Sequence, residues 1–67
     1  MQKFSFAGRY IVLLSDDNGV FKVESFYHEF YPPVTVYEGN NIYEAWKVVM
    51  DHTGYETILP KELEQYL

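Results

Sequence analysis

The sequence contains no cysteine, which excludes a disulfide framework and any metal site built from thiolates. A chain without cysteine suits a reducing compartment, so we expect it to lie in the cytoplasm. It has no apolar run near the ~20 residues that cross a membrane. The segment Met1 to Gly8 lacks the charged start and the long apolar stretch of a signal peptide. We therefore expect neither a leader nor a membrane partner.

Basic residues are scarce. Five Lys and Arg stand against ten Asp and Glu, which gives a formal net charge of -5. A phosphate backbone or an anionic membrane repels such a chain, because nucleic-acid affinity comes largely from cations that displace counterions. We therefore expect no direct nucleic-acid partner. No basic residue lies between Lys22 and Lys47, so the middle of the chain is an acidic, aromatic segment.

Catalytic and cofactor motifs are also missing. No glycine-rich loop and no nucleophile motif is present. His28 is next to Glu29, but neighbouring residues of a strand point to opposite faces. His52 lies near the end of a predicted helix, where the helix dipole favours a cation without any catalytic role. A metal site from both histidines and a carboxylate has no spacing that specifies it. We expect a protein that is not an enzyme and uses no cofactor or metal.

What the chain does contain is apolar and aromatic. Hydrophobic residues make up 48% of the 67 positions and aromatic residues 19%, which is too apolar for a disordered chain. At this length large rings compensate for a small core. We expect one folded domain over residues 1–67, with most phenylalanines and Trp46 in its core. The phenylalanines are Phe4, Phe6, Phe21, Phe26 and Phe30.

The first half of the chain predicts strands. The continuous apolar run from Arg9 to Ser15 suits a central strand. Asn18 and Gly19 then predict a hairpin turn, because both residues readily adopt positive φ. The second strand is predicted over Val20 to Phe30, with a bulge near Ser25 where the apolar phase slips.

Two prolines, Pro32 and Pro33, should end that strand because neither can donate a ladder hydrogen bond. In the segment Val34 to Glu38 successive side chains alternate between an apolar and a more polar face, which predicts a half-buried third strand. Its two faces carry Val34 with Val36, and Thr35 with Tyr37. We expect Thr35 and Tyr37 on an exposed face of the sheet.

The second half predicts helix, strand and helix. Asn41 with Glu44 is typical of a helix start, and Gly54 of a helix end. The apolar stripe of this helix should pack on the sheet through Trp46. Tyr55 to Leu59 predicts a fourth strand, and Pro60 the start of a short terminal helix. The predicted fold is α+β, in the order β-β-β-α-β-α, with a mainly antiparallel four-stranded sheet and one helix packed on one face.

The tyrosines of the acidic segment suggest a binding surface. Tyrosine offers a large contact area at low rotamer cost and is enriched at binding hot spots. The alternative, that these tyrosines are half-buried sheet residues, stays open. Acidic residues on the same hairpin and the next strand would steer the protein towards a basic partner. The candidate partner-binding residues are Asp16, Asp17, Glu24, Tyr27, Glu29, Tyr31, Tyr37 and Glu38.

The segment VTVYEGNNIYEAWKVVMDHTGYETI, from Val34 to Ile58, places a strand, a polar turn, a helix containing EAW and another strand in order. This outline resembles small phage-encoded inhibitors, including anti-CRISPR proteins and the phage inhibitor of host RNA polymerase. The resemblance implies a short acidic protein that blocks a nucleic-acid-handling protein or ribonucleoprotein of the host by occupying its basic surface, with carboxylates mimicking phosphate.

Two alternatives stay open, a second binding function and a structural role. The predicted order of three strands and a helix is also similar to the partial ribonuclease-H-like domain of HicB antitoxins, which implies neutralisation of a small basic toxin. The sequence differs from that pattern at YPPV, Tyr31 to Val34. The second alternative is a structural subunit that forms a homo-oligomer through a strand edge or a tyrosine face. The sequence leaves monomer and homodimer open.

Overall fold

The structure, a computed structural model, describes residues 1–67. It has a four-stranded antiparallel sheet with one α-helix packed against it, so the predicted α+β class is confirmed. The strands follow one another across the sheet in chain order. The elements are β1 (Gln2–Ala7), β2 (Ile11–Asp17), β3 (Val20–Phe26), β4 (Val34–Gly39), α1 (Ile42–Thr53) and a terminal 3-10 helix (Lys61–Tyr66).

The predicted hairpin between β2 and β3 is present. Asn18 has φ 52° and Gly19 has φ 88°, which is the left-handed backbone that a two-residue turn of this type requires. The Gly19 N–H donates to Oδ1 of Asp16 at 3.0 Å. Both residues of the turn were predicted because few others adopt this backbone without strain.

The fourth strand comes from a different part of the chain than predicted. It is β1 at the N-terminus, which pairs with β2 from Gln2 opposite Asp16 to Ala7 opposite Ile11. The segment Tyr55 to Leu59 is irregular, because β1 already occupies the edge of β2. The prediction of a fourth strand there was wrong.

The terminal helix is a 3-10 helix rather than an α-helix, and it begins after Pro60. Its Leu63 is fully buried. The ring of Tyr66 meets Phe21 edge to face, with centroids 5.0 Å apart. The last residues of the chain therefore close the core at the hairpin end of the sheet.

Two local predictions in the middle of the chain were also wrong. β3 ends at Phe26 rather than Phe30, because the chain turns at His28, whose carbonyl accepts from the Tyr31 N–H at 3.2 Å. The bulge lies in β4 instead of near Ser25. Val23 pairs with Tyr37 and the next residue of β3 pairs with Thr35, so Val36 is the extra residue. β3 keeps a regular register with β2 throughout.

The helix α1 begins and ends where the sequence predicts. The Asn41 side chain accepts from the backbone of the first turn, and Gly54 ends the helix with φ 84°. The residues of α1 that face the sheet most closely are Ile42, Ala45 and Val49. Trp46 is only half-buried and meets Phe6 edge to face at 5.3 Å, so it packs at the β1 side rather than at the centre.

The turn between β1 and β2 caps the end of α1. The Arg9 N–H donates to the Thr53 carbonyl at 2.8 Å, and the Tyr10 N–H donates to the His52 carbonyl at 3.3 Å. These bonds satisfy carbonyls that a helix end leaves without partners. Gly8 permits the approach, since a Cβ there would lie 2.2 Å from the Thr53 oxygen.

The core lies between the sheet and the two helices. Its fully or nearly fully buried apolar residues are Val12, Leu14, Phe21, Val23, Ile42, Ala45, Val49 and Leu63. The other face of the sheet carries no helix, and Ile11 and Val20 on that face are about half exposed. No helix of the structure is long and apolar enough to span a membrane.

Candidate binding surface

The predicted partner-binding residues do not form one patch. Two of them, Asp16 and Tyr37, point to the side of the sheet that packs against α1. Three lie on the open face, and three lie in the turn after β3. The open-face residues are Asp17, Glu24 and Glu38, and the turn residues are Tyr27, Glu29 and Tyr31.

Asp16 has a structural role. It is only 5% exposed, so the expectation of a surface carboxylate was wrong. Besides the Gly19 N–H, it accepts from the Tyr66 hydroxyl at 3.2 Å and 2.9 Å through its two oxygens. This hydrogen bond, followed by partial burial, raises the pKa of Tyr66 above its ordinary 10.0. A buried carboxylate must be hydrogen-bonded, and here those bonds fix the hairpin and the terminal helix.

Tyr37 also acts within the fold. The bulge at Val36 turns it to the same side as Val23, where it packs against the core. Its hydroxyl accepts from the Asn41 N–H at 3.1 Å and donates to the Asn41 carbonyl at 3.3 Å. Tyr37 therefore positions the start of α1, and the expectation that it lies on the exposed face was wrong.

The open face carries both signs of charge. Lys22 of β3 lies opposite Glu38 of β4 and Ser15 of β2, and Ser15 in turn lies opposite Lys3. Asp17, Glu24 and Glu38 line a shallow cavity of about 250 Å³ together with these two lysines. The carboxylates of this face are therefore partly offset by Lys3 and Lys22. They do not form the uniformly acidic surface that the sequence suggested.

The turn after β3 presents aromatic rings to solvent. We call residues 27–33 the aromatic loop. His28 organises it, because its Nδ1 accepts from the Phe30 N–H at 3.1 Å and its carbonyl accepts from the Tyr31 N–H. The imidazole lies 5.3 Å from the Phe30 ring and 4.8 Å from the Tyr31 ring. Phe30 is 79% exposed and Tyr31 is 70% exposed.

The start of the aromatic loop is tied to α1. The Tyr27 hydroxyl donates to Nε2 of His52 at 2.9 Å, while Nδ1 of His52 lies 2.9 Å from the Val48 carbonyl. A carbonyl only accepts, so Nδ1 donates to it, and in the neutral imidazole Nε2 is then the acceptor. The Tyr27 ring also meets Tyr10 edge to face at 4.7 Å. These contacts hold the base of the loop in place.

Sequence reasoning missed Phe30, which it assigned to the core. The signal was present in the two prolines after Tyr31 and in the high density of rings around His28. A strand continued to Phe30 would have needed ladder partners that no other segment supplies. His28 lies in a surface turn rather than on the predicted strand, whereas His52 lies near the end of α1, where the sequence placed it.

The structure brings together no group of three or more His, Asp or Glu side chains that could hold a metal ion. The aromatic loop follows Phe26 at one end of β3, whereas Asp17 pairs with Val20 at the other end. The length of β3 therefore separates the loop from this carboxylate. No protein-family model, curated protein or solved structure matches this chain, so the resemblances to phage inhibitors and antitoxins remain predictions.

Proposed function

We propose that this protein is a small acidic inhibitor that docks through its aromatic loop on a basic, nucleic-acid-handling protein of the host and occludes its basic surface. It acts by binding, without catalysis, and in the cytoplasm. The observation that carries the proposal is the exposure of Phe30 and Tyr31, at 79% and 70%, on a turn that hydrogen bonds hold in shape.

Two large adjacent rings that face water are a feature of binding sites more than of folding. The turn at His28 leaves both rings exposed to solvent. Because the turn is already ordered by its backbone bonds, little conformational entropy would be lost when a partner covers it. Aromatic anchors of this kind dominate the binding energy of many protein interfaces.

The charge of the region indicates the chemistry of the partner. Glu29 is exposed directly before the two rings in sequence, and neither Lys nor Arg occurs from Val23 to Trp46. A partner that pairs with this surface needs an apolar pocket with cations around it. Proteins that hold phosphate backbones carry such cationic grooves, and an acidic protein seated there would exclude the nucleic acid. Electrostatic attraction would also speed the encounter.

The test compares three tagged proteins as baits in a bacterial lysate: the unchanged chain, the double variant Phe30→Ser/Tyr31→Ser, and a matched control, Tyr43→Ser/Ile58→Ser. The control also removes two exposed apolar side chains, at 65% and 91% exposure, but far along the chain from the aromatic loop. Bound proteins are eluted with a salt gradient and identified by mass spectrometry. Circular dichroism establishes that all three baits are folded.

We expect a nucleic-acid-binding protein that the unchanged chain and the control retain, that the loop variant loses, and that moderate salt releases. Its activity should then be inhibited by the unchanged chain. If every protein retained by the unchanged chain is retained equally by the loop variant, the aromatic loop is not the docking surface and the proposal is wrong.

A further inference from the structure

The two edges of the sheet differ in how they are protected. A free edge exposes backbone donors and acceptors that another strand can pair with. On the β4 edge, Pro32 and Pro33 precede the strand and the bulge at Val36 interrupts it. Bulges and prolines are two of the devices that natural sheets use to prevent edge pairing. β1 has neither and pairs regularly with β2 over six positions.

One end of the β1 edge is already occupied. The Tyr55 hydroxyl donates to the Ala7 carbonyl, and the same ring lies close to Gly8. The part of β1 that stays free for pairing is therefore Gln2 to Phe6. The middle residue of this stretch is Phe4, whose side chain is half-buried on the α1 side.

We propose that two copies of this chain pair through β1, antiparallel, about a twofold axis that passes between the two Phe4 residues. In this register Phe4 lies opposite Phe4 of the second copy, and Lys3 lies opposite Ser5 of the second copy. Residues directly opposite each other in an antiparallel pair point to the same face. The two sheets thus join into one of eight strands, with both α1 helices on the same side.

A second copy fits this edge because the stretch is self-complementary. Lys3 is the only charged residue of β1, and in this register it meets a small, neutral serine instead of another lysine. The two half-buried Phe4 rings meet at the axis, where aromatic cross-strand pairs are favourable. The aromatic loop of each copy follows β3 near the Ala7 end of the sheet, so the twofold axis places the two loops at opposite ends.

The register is tested with two variants at one exposed position, Ser5→Glu and Ser5→Lys. Each variant places a charge opposite Lys3 of the second copy, and the twofold axis gives two such pairs in the dimer. Sedimentation velocity over about a hundredfold range of concentration gives the dimer dissociation constant. We expect Ser5→Glu to tighten the dimer and Ser5→Lys to weaken it, each by roughly two- to thirtyfold, as two cross-strand charge pairs allow. The double variant Lys3→Glu/Ser5→Lys should restore the dimer.

A single-chain mass at every concentration would overturn the proposal. So would a dimer that responds equally to Glu and Lys at position 5, or one that Phe30→Ser/Tyr31→Ser abolishes. Circular dichroism of each variant separates a loss of pairing from a loss of folding. The changes at Lys3 and Ser5 leave the aromatic loop intact, so failure of this proposal is distinct from failure of the proposed function.

Discussion

At the scale of single residues, buried polar groups decide much of the stability. Asp16 and Thr53 lie in the interior with hydrogen-bond partners, whereas the hydroxyl of Ser25 is buried without one. A buried polar group without a partner destabilises the fold, because it loses its hydrogen bonds to water and forms none within the protein. These three residues are therefore expected to respond very differently to substitution, although all are nearly inaccessible to water.

Ser25→Ala should leave the free energy of unfolding unchanged or raise it by up to about 1 kcal/mol, because it removes a buried hydroxyl that has no partner. Thr53→Val should lower it by about 1 kcal/mol, since the Thr53 hydroxyl donates to the Val49 carbonyl at 2.9 Å. Urea unfolding followed by tryptophan fluorescence measures both. A larger loss for Ser25→Ala than for Thr53→Val would contradict this assignment.

The Tyr66 to Asp16 hydrogen bond should make stability depend on pH in the alkaline range. The pKa of Tyr66 is raised in the folded state above its ordinary 10.0, so folding favours the protonated phenol. The contribution of this hydrogen bond to the free energy of unfolding is complete below about pH 10 and is lost as the pH rises through the folded-state pKa of Tyr66. Tyr66→Phe should therefore be less stable than the unchanged chain at about pH 8, with a difference that shrinks above pH 10.

Denaturant unfolding at about pH 8 and again above about pH 10 measures the free energy of unfolding of both proteins. Tyr43→Phe is the matched control, because it removes the same hydroxyl group from a tyrosine that is 65% exposed. If the stability difference between Tyr66→Phe and the unchanged chain stays the same at the higher pH, the hydrogen bond to Asp16 does not stabilise the fold.

At the scale of elements, the parts predicted from sequence are those whose signals are local. The turn at Asn18 and Gly19 and the caps at Asn41 and Gly54 were located because each depends on one or two residues next to it. The failures concern pairing over distance. Nothing near Tyr55 indicates that the N-terminal strand β1 has already taken the edge of β2.

The predicted binding residues show the same limit, because their roles depend on contacts with residues distant in sequence. Along the chain Asp16, Tyr37 and Tyr31 look alike, as polar residues near a hairpin or a turn. Their roles separate only once Tyr66, fifty residues after Asp16 in sequence, reaches that carboxylate and the bulge at Val36 rotates Tyr37 towards α1. Charge counts therefore predicted an acidic protein but could not show which carboxylates face a partner.

The contact between the β1–β2 turn and the end of α1 gives a prediction at this scale. Gly8→Ala should lower the free energy of unfolding by roughly 1–3 kcal/mol, because a Cβ at this position would lie 2.2 Å from the Thr53 oxygen and 2.8 Å from its Cα. Both atoms belong to the backbone and cannot rotate away. Arg9→Ala in the same turn is the control and should change stability by no more than about 0.5 kcal/mol. Equal effects of the two would exclude a steric role for Gly8.

At the scale of the whole molecule, the position of a carboxylate should matter more than the net charge. Glu29 lies in the aromatic loop, while Glu38 lies on the open face opposite Lys22. Both reversals to Lys change the charge of the chain equally. For a partner identified through the aromatic loop, Glu29→Lys should slow association more than Glu38→Lys, and the gap should narrow as salt rises. Stopped-flow association at two ionic strengths measures this, and equal rates would show that only net charge steers the encounter.

Self-association through β1 should also appear in the stability of the whole chain. A dimer that forms only between folded copies stabilises the folded state by mass action, so the unfolding temperature rises with protein concentration. We expect this slope to be steeper for Ser5→Glu than for the unchanged chain and flattest for Ser5→Lys, because Lys3 of the second copy faces position 5 in the proposed register. Differential scanning calorimetry over a series of concentrations measures the slope. Three identical slopes would mean that pairing at β1 contributes nothing to the folded state, whereas the predicted order would tie oligomerisation to the one regular edge of the sheet.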